Sequence, residues 1–579
     1  MNINKLLKHP HPSLYRPSYQ MLNGIWDFKF DDKNIGEENQ YFMGFENALQ
    51  IKVPFAYQSK ASGIGVTTRH DYVWYQRFIN IKKSNDKRYI LHLEGSDFLT
   101  KVYLNGAFVG LDFGAYHRQN YDLTPFIKDG DNLIVIKCED DYSKEKCRGK
   151  QRAQDESYEC YYVDTTGIYK PLWIEEVPLS YIKNVKITPF LEDKKIAFIF
   201  EGEKIKGLSL NVSLSFKNKL IKKQTYQIND DIFSCSLCDI KSILPWSIDK
   251  PHLYDLKFEI IDEDKIIDRV LSYCGFRDII AKEGFIYLNN KKFYQKLVLD
   301  QGYWDKSNLT SPSVNALKKD IILMKEFGFN GCRKHQKTED ERFLLLADYL
   351  GYVTWVEVAS AYEFSEISKK NYAREIPLIL KDNYNHPSVI TWTLFNESWG
   401  IKDILTSKEQ QDFTVKMYNL AKEYDPFRFV ISNDGWEHTK SDIITMHHYE
   451  QDADKLYSYY EDKDKAMKEI WQSHWKGAFA NGYQYNGEPI LFSEFGGTAY
   501  IKNTQGSKNW GYGTGVKDDE EFINRVSLLF KTLQKLDYLS GYCYTQVSDV
   551  EQEVNGLLFH NHRCKIKPAI LKKVQDKKK

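Results

Sequence analysis

The stretch VITWTLFNESWG, residues 389–400, decides how the second half of this chain folds. From Val389 to Phe395 it is rich in β-branched and aromatic residues and too short for a globular helix, so it reads as a fully buried strand. Its polar end, Asn396 and Glu397, then falls at the strand's C-terminus. EPILFSEFGG, residues 488–497, repeats the pattern, with Pro489 to Phe492 as the strand and Glu494 at its end. In a parallel α/β barrel that edge carries the chemistry, because the loops there build the pocket while the opposite edge serves stability. A carboxyl group beside a buried strand also has a shiftable pKa, which one acid and one base of a pair require.

Working outward from these two stretches, strand-like runs alternate with helical patterns. KFYQKLVL precedes VNALKKDIILMKEFG, NGCRKH precedes DERFLLLADYLG, and YVTWVEVA precedes a helix ending near Tyr384. VITWTLFN is followed by QQDFTVKMYNLAKEYD, then come RFVISND, DIITMHHYE, PILFSEFGG with EEFINRVSLLFKTLQKL, and LSGYCYTQV. Eight strand candidates, with the helix after RFVISND weak or missing, predict a (β/α)8 TIM barrel over 280–579. Glu397 closes its fourth strand and Glu494 its seventh. Upstream, short alternating strands such as LNGIWDFKF and DNLIVIKCED predict a β-sandwich over 1–178, with Asn105-Gly106 as a tight hairpin turn. A second, smaller β-sandwich is expected over 179–279. The terminal KKVQDKKK reads as a frayed, solvated tail.

Composition excludes several functional classes. The 80 basic and 80 acidic residues cancel, so no global pull toward nucleic acid or membrane is expected. No run of about 18 apolar residues occurs, and the opening MNINKLLKHPHPSLYRP lacks the apolar segment of a secretory signal. The nine cysteines are odd in number and scattered, and the one CxxC, Cys235 and Cys238, lacks a second ligand pair for zinc. Reduced thiols and a cytoplasmic location follow as expectations, with no metal and no other cofactor. Forty Tyr, 33 Phe and 12 Trp supply rings that stack on sugars but more ordinarily fill β cores.

Several stretches together resemble glycoside hydrolase family 2, which includes β-galactosidases, β-glucuronidases and β-mannosidases. HPSLYRPSYQMLNGIWDFKFDD, YLNGAFVG and TTGIYKPLWIE look like its sugar-binding jelly roll, and PWSIDKPHLYDL like the end of its immunoglobulin-like middle domain. NHPSVITWTLFNES resembles its acid/base signature and PILFSEFGG its nucleophile signature. The resemblance implies a retaining exo-β-glycosidase in which Glu397 is the acid/base and Glu494 the nucleophile, two carboxyls about 5 to 5.5 Å apart. Asn396 would reach the sugar 2-hydroxyl, and Tyr449 in MHHYE would hydrogen-bond the nucleophile. Glu357, ending the third strand, takes the place of an acidic pocket or network residue. Of His447 and His448, strand alternation points one inward and one outward.

Elsewhere the chain departs from the family pattern. Relatives usually read Arg, two residues, then His-Tyr-Pro, whereas Arg333 here is separated from His335 by Lys334 alone. Asp300 and Gln301, closing the first strand, are expected to face the same pocket. Tyr544 stands where relatives put a tryptophan floor, and Trp399 and Trp510 are candidate aromatic walls. The loop from Ile501 to Lys517 is expected to shape the outer pocket. β-Glucuronidases recognise the uronic carboxylate through Asn-x-Lys, but the matching positions are Glu553, Val554 and Asn555. A buried carboxylate without a cation is costly, so a β-galactoside is the expected substrate. β-Glucuronides or β-galacturonides are the alternative if Arg333, Lys334 or Lys337 substitutes, an alternative that the short, glucuronidase-like domain plan favours. A carbohydrate-binding protein without catalysis is a remote third reading. A carbohydrate is the only partner expected, beyond the homo-oligomers common among relatives.

Overall fold

The computed structural model describes residues 3–469, 476–501 and 508–576, so part of the loop expected at the pocket's outer rim, 502–507, lies outside it. The N-terminal unit is a β-sandwich. A four-stranded sheet is ordered Tyr19–Met21, Leu172–Pro178, Lys87–Leu93, Gln119–Asp122. It faces a six-stranded sheet ordered Leu49–Val53, Gly24–Phe30, Tyr72–Ile81, Gly130–Glu139, Leu99–Leu104, Ala107–Phe113. Alternating inward residues of both sheets, among them Trp26, Phe28, Tyr75, Leu91, Ile136 and Leu172, form its core. Asn105 and Gly106 have φ of 53° and 84° and join two antiparallel strands, as a type I′ turn requires.

The middle unit is a seven-stranded sandwich. A three-stranded sheet from Tyr181–Phe190, Lys195–Glu203 and Ile232–Leu237 packs on a four-stranded sheet from Lys219–Gln227, Ser209–Phe216, Tyr254–Asp262 and Lys265–Cys274. All nine cysteines of the chain are unpaired.

Eight parallel strands form the third unit: Gln295–Asp300, Gly331–Lys334, Val353–Glu357, Val389–Thr393, Phe429–Ile431, Ile444–His448, Ile490–Gly496 and Leu539–Thr545. Neighbours are paired all round except between the fifth and sixth. No helix follows the fifth strand among the described residues; instead segment 432–441 bridges the gap, with Gly435 N–H donating to Thr445 Oγ1 at 2.9 Å and His447 N–H to Gly435 O at 3.3 Å. Leu297, Leu299, Trp355, Phe429, Leu491 and Cys543 fill the barrel interior. Val298, Cys332, Val356, Met446, Phe492, Tyr542 and Tyr544 belong to a separate layer between strands and helices. Extending this alternation by one step gives the polar layer at the strands' C-terminal mouth.

The tail departs from expectation. Pro568–Gln575 is a helix, its Leu571 and Gln575 four residues apart and buried, and Gln575 accepts from Tyr542 Oη at 2.9 Å and donates to Phe327 O at 2.9 Å. Residues 577–579 lie outside the described residues. No helix among the described residues is long and apolar enough to cross a membrane.

Candidate active site

Glu397 and Glu494 face each other across the barrel mouth. Period-2 alternation would turn Glu494 away, since Leu491 already points in. A register shift between Phe492 and Phe495 turns it back toward the axis, the re-aiming that bulges near active sites perform. Glu397 and Ser398 sit in left-handed backbone, with φ of 50° and 60°. Such strained residues need a scaffold, and they have one: Glu397 N–H donates to Asp434 O at 2.9 Å, and Ser398 N–H to Asn433 Oδ1 at 3.0 Å.

One imidazole links the two carboxylates. His447 Nδ1 lies 2.8 Å from Glu397 Oε1 and 3.6 Å from Glu494 Oε1, while its Nε2 lies 2.7 Å from Asp434 Oδ2. Donor oxygens of Glu397 and Glu494 are within 4.8 Å of each other. Burial disfavours the imidazolium, but the surrounding charges of Glu494 and Asp434 outweigh it and push the His447 pKa up to about 10. For Glu397, burial raises the pKa and the His447 hydrogen bond and charge lower it further, leaving it below the usual value. Both shifts favour the charged pair, imidazolium beside carboxylate, across that contact.

Arg333 organises the floor. Its guanidinium is fully buried, with Nε 2.5 Å from Glu357, Nη1 2.5 Å from Asp434 and 3.0 Å from Glu494, and Nη2 donating to Asn396 Oδ1 at 2.6 Å. Burial works against the cation, but Asp434, Glu357 and Glu494 raise its pKa well above the ordinary value. With Oδ1 so occupied, Asn396 presents a buried Nδ2 that has no partner. His335 is buried and held far below its usual pKa by burial and by Lys150 and Arg333. Tyr449 Oη donates to Glu494 Oε2 and lies 3.1 Å from Thr545 Oγ1; its ring stacks on Tyr512 at 3.5 Å. His448 turns outward to Tyr460 Oη at 2.8 Å, so only its neighbour enters the site.

Two expected pocket residues point elsewhere. Asp300 shares the outward parity of Val298, and its carboxylate pairs with Lys334 at 2.6 Å. Tyr544 is fully buried against Phe495 and Phe530 in the strand–helix layer. Thr545, the next residue, is the one facing the site. Trp399 and Trp510 are half-buried at the mouth: Trp399 stacks on Tyr161 at 5.1 Å, and Trp510 Nε1 donates to Glu159 O at 2.7 Å.

Those partners belong to a segment that sequence reasoning missed. Residues 144–163 leave the N-terminal sandwich and lie across the barrel mouth. Arg148 and Gly149 N–H donate to Ser360 O, each at 3.0 Å, Tyr362 Oη donates to Gly149 O at 2.8 Å, and Val163 N–H donates to Glu551 Oε1 at 2.9 Å. Tyr162 Oη donates to Glu553, which also accepts from Asn555 at 2.9 Å. This segment brings Lys150 into the pocket, about 240 residues before the nearest signature, with nothing local to mark it. Asp434 was missed too, although it ends RFVISND, a strand C-terminus like those of the two glutamates.

Comparisons with known proteins agree over nearly the whole chain. Residues 279–578 match the glycosyl hydrolases family 2 TIM barrel domain, 19–170 its sugar-binding domain, and 180–277 a further family 2 domain. A Thermoanaerobacter pseudethanolicus β-galactosidase is 25% identical over 72% of this chain and 54% of its own length. A Paenibacillus borealis β-glucuronidase is 22% identical over 83% of each. The chain spans about half the length of several relatives it matches. A Bifidobacterium dentium β-glucuronidase complexed with coumarin-3-O-glucuronide has the same fold, with a TM-score of 0.81 at 18% identity over 97% of this chain and 98% of the other. With all three of its units matched in order, this chain belongs to glycosyl hydrolases family 2.

Proposed function

We propose that this protein is a retaining exo-β-glycosidase that releases a terminal β-linked sugar through a glycosyl-enzyme intermediate. The observation that carries this reading is the close approach of Glu397 and Glu494, with donor oxygens within 4.8 Å and one imidazole between them. Inverting enzymes hold their carboxyls about 6.5 to 9.5 Å apart to admit a water, so the closer spacing supports double displacement. Glu494 attacks the anomeric carbon while Glu397 protonates the departing oxygen; Glu397 then takes a proton from water as the intermediate is hydrolysed. The first proton comes from the Glu397–His447 contact. As Glu494 spends its charge on the new bond, one anion favouring imidazolium disappears, which eases that proton toward Glu397. Asn396 offers its free Nδ2 to the sugar 2-hydroxyl.

Relatives named as β-galactosidases and β-glucuronidases support the reaction class. Segment 144–163, tied down through Trp510 and Gln552 to Glu159 O at 2.7 Å each, closes the mouth and supports removal of a chain-end sugar. Glu397, His447 and Glu494 also have the spacing of a metal donor set, but a guanidinium 3.0 Å from Glu494 and an imidazole with carboxylates at both nitrogens already neutralise it. The case for a neutral sugar rested on a missing cation, and Lys150 removes that ground.

A panel of p-nitrophenyl β-glycosides, with the product's anomeric configuration followed by proton NMR, tests the reading. Release of the β-anomer is expected, with Glu494→Ala at least about a thousandfold slower. Near-normal turnover by that variant, or release of the α-anomer first, would refute it.

A further inference from the structure

The other cations proposed for a sugar carboxylate are already engaged. Arg333 is bound to Glu357, Asp434 and Glu494, and Lys334 to Asp300 and Glu339 at 2.6 and 2.7 Å. Lys337 is 3.2 Å from Glu339 and donates to Gly302 O and Leu309 O. Lys150 differs. It is only 9% exposed, and its Nζ lies 4.8 Å from the Trp399 ring centroid with the Cys160 thiol as neighbour. Among the described residues, no oxygen is in ion-pair or hydrogen-bond contact with that ammonium. Trp399, whose ring the ammonium overlies, is two residues beyond Glu397, which places Lys150 beside the pocket.

A buried ammonium without an anion is costly, and it is costlier still at the end of a backbone fixed in place. Here the backbone is fixed: Gly149 and Arg148 are bonded to Ser360 O, and Tyr162 N–H donates to Lys150 O at 2.9 Å. The Glu553 carboxyl, whose charge favours the ammonium, is hydrogen-bonded by Tyr162 and Asn555 rather than by the lysine. We infer that Lys150 receives the carboxylate of a uronic acid in the sugar subsite, a role that relatives give to an Asn-x-Lys motif absent from the equivalent positions here. The substrate class is then a β-uronide, and the cation that selects it is supplied by the N-terminal domain. This inference rests on the glycosidase reading above.

The test compares wild type, Lys150→Gln and Lys150→Arg on p-nitrophenyl β-glucuronide and β-galacturonide against the matched glucoside and galactoside. Binding of free glucuronate, galacturonate, glucose and galactose is followed in parallel by thermal shift. Wild type is expected to favour one uronide. Lys150→Gln should lower kcat/KM for that uronide at least about thirtyfold more than for the matched neutral glycoside, and Lys150→Arg should recover part of that difference. Preference of the wild type for a neutral sugar would overturn the inference. So would an equal loss on both classes, which would make Lys150 only a counter-charge for Glu553. If Lys150→Gln fails to fold, selective protection of wild type by uronic acids over neutral sugars decides, and equal protection overturns it. Absence of all turnover would fail the glycosidase reading alone, because the binding comparison still judges Lys150.

Discussion

Tyr449, half-buried, and Tyr544, fully buried, both stand near Glu494, and one step of strand parity separates their fates. The Tyr449 hydroxyl donates to the candidate nucleophile, whereas the Tyr544 ring packs against Phe495 and Phe530 in the layer behind it. A hydrogen bond to a charged group is worth roughly 1.5–3 kcal/mol. Tyr449→Phe should therefore lower kcat by about ten- to a hundredfold, while Tyr544→Phe leaves kcat/KM within about twofold; steady-state kinetics on one aryl glycoside checks both. The placement of Asn396, Glu397, Glu494 and Tyr449 at the barrel mouth was legible because each stands near the C-terminal end of a barrel strand inside a recognisable signature. Asp300 and Tyr544 were not, since whether a strand's last residue points in or out depends on local register. Asp300 pairs with Lys334 because it inherits the outward phase of Val298.

Among the elements, segment 144–163 decides the shape of the site, and a glycine lets it lie flat on the barrel. Gly149 has φ of +65°, and a Cβ there would sit 2.3 Å from Gln336 O. That backbone conformation suits glycine, and the neighbouring carbonyl cannot move aside easily. Gly149→Ala should thus lift the segment, lowering kcat/KM by at least about tenfold while Tm falls by only a few degrees; paired kinetics and thermal denaturation check this, and unchanged kinetics would count against a built pocket wall. The eight barrel strands were legible from their alternation with helical patterns, and so was the missing helix after RFVISND. The terminal helix was not: its lysines resemble a solvated charge run, and only the spacing of Leu571 and Gln575 carries the signal. Nor could local pattern reveal that a sandwich loop crosses to the barrel, since such docking is fixed by the packing of whole domains.

At the scale of the molecule, buried ion clusters tie the three units together. Arg16 joins Asp268 of the middle sandwich at 2.8 Å, and Arg118 joins Glu341 of the barrel at 2.6 Å. His386 lies 2.7 Å from Asp348 and 3.5 Å from Glu341, beside Tyr273 of the middle unit. Burial opposes its charge, but Asp348 and Glu341 raise its pKa to about 9. A histidine whose pKa is raised on folding binds more protons in the folded state, so its stabilisation is complete below the unfolded value near 6.5 and is lost as pH climbs through the folded value. His386 and His447, the latter raised to about 10, should together make Tm fall between about pH 6.5 and 10. Calorimetry across that range checks it, and His386→Asn should flatten the slope. The three-domain order was legible because each unit has its own strand grammar; the clusters between units join residues hundreds of positions apart and left no trace in the sequence. Because segment 144–163 crosses from the sandwich to the barrel, two domains wall one pocket. On the proposed reading, bond cleavage is written on the barrel and substrate choice partly on another domain, so the two can be altered independently. Exchanging N-terminal sandwiches among relatives could redirect this chemistry to a new sugar without altering a single barrel residue.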